Sequence, residues 1–148
     1  MNFRALAFFP LLLIANSGLA SLPPVQKLTV SVSSGEIVAA TLILEAGGES
    51  DPRGMAAVRE VIRNRAKNKT EIAVCLAPKQ FSCWNKISVE RGIEIAKRHK
   101  KWQTALALVK SETNHTNGAT HYHSTKVSPY WKNSLTKTTQ IQNHIFYK

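Results

Sequence analysis

Two adjacent glycines, Gly47 and Gly48, set between the carboxylates of Glu45 and Glu49, constrain this chain more than any other feature. The run before them is apolar, and Val38, Leu42 and Glu45 fall at i, i+4 and i+7, on one face of a helix. The spacing predicts a helix from about Gly35 to Glu45, capped by Ser34 and stopped by the double glycine. Asp51-Pro52 then signals a second helix, with Asp as N-cap and Pro at the first helical position. The two acids therefore straddle a forced break between helices. A carboxyl group deprived of water holds its proton to higher pH, so an acid ending an apolar helical run is a candidate proton donor.

The second helix reads to about Lys67, with Met55, Val58, Ile62 and Arg65 on one face and Arg59 and Arg63 elsewhere. Thr70 caps a short helix through Cys75, closed by Pro78, and residues 79–87 read as an irregular loop rich in polar and aromatic groups. Ser88 caps a further helical region, broken near His99 and ending about Ser111, in which Trp102, Leu106 and Val109 repeat at helical spacing. Past the turn cluster Asn114 to Gly118 the chain is rich in Thr, Tyr, Ile and Phe and suits short strands. The expected fold class is α+β, mainly helical, with a small C-terminal β element. Internal repeats and low-complexity segments are absent.

The first 20 residues have the pattern of an export signal: Arg4, an apolar core from Ala5 to Ala15, and small residues at Gly18-Leu19-Ala20. That core is shorter than the roughly 20 residues a membrane span needs, so cleavage after Ala20 is expected rather than stable membrane insertion. Residues 21–34 read as a linker, and 35–148 as one catalytic-sized domain. The chain carries 20 Lys and Arg against 9 Asp and Glu. Loss of residues 1–20 removes Arg4 and no acid, so the mature part stays strongly basic and suits polyanionic partners. Export to a periplasm, cell wall or cell exterior makes nucleic acid an unsuitable partner. In such an oxidising compartment Cys75 and Cys83, the only cysteines, are expected to form a disulfide.

Glu45 is the leading candidate for acid chemistry; Glu49, near the start of the next helix, either orients substrate or water or caps backbone amides. Two carboxylates admit a glycosidase scheme, but four residues across a glycine turn do not fix their separation. His121 and His123 share a strand face, yet two ligands are too few for zinc, so no metal and no cofactor is expected. Phe81, Trp84, Tyr122, Tyr130 and Trp131 are aromatic groups on which sugars can stack. Phosphate-binding glycine loops, serine-nucleophile elbows and zinc-protease motifs do not occur.

Several separated blocks, in order, resemble one family. They are Glu45-Ala46-Gly47-Gly48-Glu49, Gly54-Met55-Ala56-Ala57-Val58, Val61-Ile62-Arg63-Asn64-Arg65, Gln80-Phe81-Ser82, Asn117-Gly118-Ala119-Thr120-His121-Tyr122 and Asn143-His144-Ile145-Phe146-Tyr147-Lys148. Together they are similar to the cell-wall hydrolases of the spore-cortex-lytic enzyme (SleB/CwlJ) type, over about residues 35–148. The resemblance implies a lysozyme-like fold and cleavage of the MurNAc–GlcNAc bond of peptidoglycan, by lytic transglycosylation or hydrolysis. It places the catalytic Glu at Glu45 and a second acidic position at Glu49. Where the family usually carries a basic residue between these acids, this chain has Gly47.

The expectation is thus an exported, monomeric peptidoglycan-cleaving enzyme. Glu45 acts as acid and then base, Glu49 supports substrate or water, and Phe81, Ser82, Thr120, Tyr122 and His123 line the cleft. Two other readings use the same residues differently. One is a non-catalytic basic peptidoglycan-binding protein; the other is a secreted nuclease acting through His121 and His123.

Overall fold

The structure, a computed structural model, describes residues 32–148. The expected signal segment, and the linker up to residue 31, lie outside the described residues. Helix α1 (Ser34–Ala46) is the centre of the domain and is packed by α2 (Arg53–Arg65), α3 (Glu71–Leu76), α4 (Val89–Lys97) and α5 (Trp102–Val109). One apolar face was expected for α1, but burial runs right round it, from Ile37 through Ile43 and again at Ala46. A helix apolar on all sides belongs inside a protein rather than on its surface. Its cap is Ser33 rather than Ser34. The Ser33 hydroxyl accepts from the Glu36 amide and the Glu36 carboxylate accepts from the Ser33 amide, a reciprocal capping box.

The break at Gly47-Gly48 separates α1 from α2 as the sequence predicts. Pro52 occupies the cap position of α2, while the Asp51 carboxylate accepts from the Arg53 amide at 2.9 Å and so serves the exposed end of the helix. Thr70 and Ser88 cap α3 and α4 with their side chains. Trp102 is buried, whereas Leu106 and Val109 are half-buried against the core.

Three short strands follow: β1 (His121–Ser124), β2 (Lys137–Ile141) and β3 (His144–Tyr147). They form an antiparallel sheet in the order β1-β3-β2, with His123 and Gln140 on either side of Ile145. A second, smaller core of Ala57, Val61, Ala119, Ile141 and Phe146 joins the sheet to α2. Tyr122 packs against both cores.

Helix α2 also holds the chain segment that leads into β1. The fully buried Glu60 carboxylate accepts from the amides of His115 (2.7 Å) and Thr116 (2.8 Å) and from the Thr116 hydroxyl (2.6 Å). Arg63, Asn64 and Arg65 donate to the carbonyls of Thr113, Ala119 and Thr120. Five main-chain groups of residues 113–120 are therefore satisfied by one helix, and this fixes where β1 begins.

Candidate active site

Glu45, the penultimate residue of α1, opens onto a cleft of about 670 Å³ between the helical part and the sheet. Its carboxylate is held from two sides. Oε1 accepts from the Cys83 amide at 3.1 Å, and Oε2 accepts from the Tyr122 hydroxyl at 2.7 Å. Each donor is itself anchored. Cys83 lies on a 3₁₀ turn (Ser82–Asn85) pinned by Trp84, whose indole N–H donates to the buried Thr41 hydroxyl at 3.1 Å. The Trp84 ring lies so close over Gly92 that a β-carbon there would meet it at 2.3 Å, so only glycine admits the ring. Tyr122 stands among Phe81, Phe146 and His144, with ring centroids 5.1–6.4 Å away. Burial, and secondarily the Glu45 carboxylate, push the Tyr122 phenol well above its ordinary range, so it remains a neutral hydroxyl.

A cation stands beside this pair. Arg65, at the last position of α2, donates from Nε to the Thr120 carbonyl at 2.6 Å and lies 5.3 Å over the Phe81 ring. Burial lowers its proton affinity, while Tyr122 and Glu45 act to raise it. The guanidinium stays charged throughout the range in which proteins fold. Its place on the apolar face of α2 predicts a core residue with no part in the chemistry; the structure brings it into the cleft lining with Glu45.

Glu49 also lines the cleft and is only 7% exposed. His144 Nδ1 stands 2.9 Å from its Oε1, too far out of line for a good hydrogen bond, and neither Glu49 oxygen has a hydrogen-bond partner among the described residues. Lys101 donates to the Glu49 carbonyl and fixes the backbone there. Gly54 in α2 leaves the room: a β-carbon would sit 2.4 Å from Glu49 Oε2. The β2–β3 turn that presents His144 is tied to the same place. The Gln142 side chain accepts from the Asp51 amide at 2.9 Å and donates to the Ser50 hydroxyl at 3.0 Å. Those contacts hold Gln142 at φ +46°, a left-handed conformation that non-glycine residues seldom adopt.

The other expected cleft residues divide. Ser82, Tyr122 and His123 line the cleft. Phe81 does not: it is 1% exposed and packs in the core beneath Arg65, because an apolar ring roofed by a guanidinium gains more from burial than from water. Thr120 is also outside the lining, with its carbonyl taken by Arg65 and its hydroxyl 2.9 Å from His121 Nδ1. His123 is spoken for on both nitrogens. Nδ1 faces the Ser124 carbonyl at 2.8 Å, which can only accept, so Nδ1 carries the proton and Nε2 accepts from the Tyr147 hydroxyl at 3.0 Å. That leaves His123 no free nitrogen for a nuclease reaction. Among the described residues no three His, Cys, Asp or Glu side chains converge as a metal-ligand set.

The expected Cys75–Cys83 disulfide is not formed; both are free thiols. Cys75 is fully buried, and burial pushes its thiol up to about 11. Burial, followed by the neighbouring Glu45, raises Cys83 further still. Oxidation proceeds through the thiolate, which neither environment favours.

Comparison with known proteins agrees with this architecture. A family model described as Cell Wall Hydrolase matches residues 48–147. Among solved structures, the catalytic domain of the Bacillus cereus SleB protein matches with a TM-score of 0.54 and 22% identity, over 80% of this chain and 94% of that one. The likeness identifies the α+β arrangement as lysozyme-like. Among curated proteins none matches the chain significantly.

Proposed function

The chain belongs to the cell wall hydrolase family, and we propose that it cleaves the glycan strands of peptidoglycan with Glu45 as the single acid and base. The observation that carries this reading is the clamped Glu45 carboxylate at the cleft, held by the Tyr122 hydroxyl and the Cys83 amide. The Cys83 amide can only donate, so Oε1 is fixed as an acceptor. A hydroxyl can donate or accept, so Tyr122 suits Oε2 in both protonation states. The mobile proton therefore resides on Oε2, shared with Tyr122.

In the first step Oε2 gives this proton to the bridging oxygen between MurNAc and GlcNAc as the C1–O bond breaks. Arg65 and the two donors then stabilise the carboxylate left behind. In the second step the same carboxylate takes a proton from the group that attacks C1. That group is either water or a hydroxyl of the muramic residue itself, which closes an anhydro ring. Glu49 and His144, in the same cleft lining, orient the sugar or the water.

Glu45→Gln tests the reading, since it keeps the shape of the side chain but gives the Tyr122 hydroxyl and the bridging oxygen no transferable proton. Digestion of purified sacculi, followed by loss of turbidity, should fall at least about a thousandfold while the thermal melt is preserved. Near-normal turnover in this variant would remove Glu45 from the mechanism. Mass spectrometry of wild-type products then separates the two second steps, because an anhydro end is lighter than a hydrolysed end by one water.

A further inference from the structure

The cleft holds more positive charge than its own acids balance. Lys79, on the turn after α3, and Lys126, on the turn after β1, line it from two separate segments, and Arg65 adds a third cation beside Glu45. Both lysines are exposed, and neither side chain makes an ion pair or a hydrogen bond among the described residues. Neither acid of the cleft pairs with these lysines: Glu45 is engaged by Tyr122 and Cys83, and Glu49 is buried with His144 as its near neighbour. Lys79 sits at φ +63°, a left-handed position that a long side chain seldom takes.

We propose that Lys79 and Lys126 form a subsite for carboxylates hung from the sugar chain, so that the enzyme selects strands bearing free carboxylates over neutral strands. This rests on the glycan-cleaving reading above and names the feature of the substrate that the cleft reads. A linear glycan threaded past Glu45 is neutral along its sugar backbone. Its negative charge is carried on the lactyl arm or on the peptide stem attached there. Cations on a concave wall draw such groups in, because the wall excludes water and concentrates the field. Each exposed pair contributes modestly, so the two lysines together give a preference of about fivefold.

The test compares native sacculi with sacculi whose carboxyls have been converted to amides by carbodiimide and ammonia. Co-sedimentation and initial rate are both measured. The wild type should favour the native material by about fivefold, and about 1 M salt should erase the preference. The double variant Lys79→Gly/Lys126→Ala should bring the ratio close to one; glycine suits the left-handed turn, so the first change adds no strain. A second double variant, Lys67→Ala/Lys69→Ala, loses the same charge outside the cleft and should keep the preference. Equal treatment of the two substrates by the wild type overturns the proposal. So does a preference that survives in Lys79→Gly/Lys126→Ala, or one that falls equally in the remote variant. An amidase removes the stem and frees the lactyl carboxylate that had been its amide partner: a preference that persists on such strands shows that a carboxylate on either arm fills the subsite, and one that is lost confines it to the carboxylates of the peptide. Binding is read independently of cleavage. Selective binding without any bond breakage would therefore reject the enzymatic reading and leave the subsite standing.

Discussion

Replacing Gly54 by alanine should destabilise the protein, against the usual direction of such a change. Alanine in a helix is favoured over glycine by up to about 1 kcal/mol, and somewhat less in the first turn, where Gly54 lies. The new methyl group would meet Glu49 Oε2 at 2.4 Å, so the carboxylate must retreat by about 1 Å to reach ordinary contact. Glu49 has one close polar neighbour, His144 Nδ1 at 2.9 Å, and neither of its oxygens has a hydrogen-bond partner among the described residues. Moving it away from that neighbour leaves a buried carboxylate with no polar contact among the described residues, which costs about 3 kcal/mol. The net loss is about 2 kcal/mol, or roughly 8 °C in Tm for a domain of this size. Thermal melts of Gly54→Ala, Glu49→Ala and the double variant complete a cycle. With Glu49 truncated the methyl group has room, so Gly54→Ala should then raise Tm by a few degrees. A Gly54→Ala protein as stable as the wild type, or one equally destabilised in both backgrounds, refutes the argument.

Two further outcomes follow from the same geometry. Tyr122→Phe removes the hydroxyl on Glu45 Oε2 but keeps the ring among Phe81, His144 and Phe146. A hydrogen bond to a charged group is worth about 1.5–3 kcal/mol, so kcat/KM on sacculi should drop about 10- to 100-fold with little change in the melt. Glu60→Gln places an NH2 group against donors from Thr116 or His115 and should cost about 2–3 kcal/mol in urea unfolding. Its pH dependence has a definite sign. Burial opposes ionisation of Glu60, but hydrogen bonds from the Thr116 hydroxyl and the His115 and Thr116 amides outweigh it and hold the carboxyl below its ordinary 4.5. The stability it contributes is present above that pH and is lost as pH falls through the folded value. The wild type should therefore lose its advantage over Glu60→Gln on acidification, and a constant gap down to low pH would contradict this.

What was legible in the sequence was local. Thr70 and Ser88 announce helix starts because a hydroxyl reaches an amide three residues on, and Gly47-Gly48 stops a helix without help from the rest of the fold. The Ser33–Glu36 box is equally local and legible in its S-x-x-E spacing, although Ser34, one residue on, offers the same hydroxyl. The position of Glu45 at the end of an apolar helix was readable. Its two donors were not, since Cys83 and Tyr122 lie 38 and 77 residues away. Arg65 is the plainest example. Its place on the apolar stripe of α2 marked it as core, and only the approach of Thr120 and Phe81 from distant segments makes it part of the cleft. Phe81 misled in the opposite sense, because an aromatic residue in an irregular loop looks available to a ligand until a guanidinium covers it.

The way α2 grips residues 113–120 has a consequence for change in this enzyme. Arg63, Asn64 and Arg65, and Glu60 in two of its three contacts, hold peptide groups, and Thr116 alone contributes a side chain to the grip. Peptide groups are the same whatever residue carries them. The outward-facing positions of that segment, such as Asn114 and His115, can thus be exchanged while the helix still delivers Tyr122 to the same spot. Diversity at the rim and constancy at the reacting centre are, in this architecture, mechanically separate.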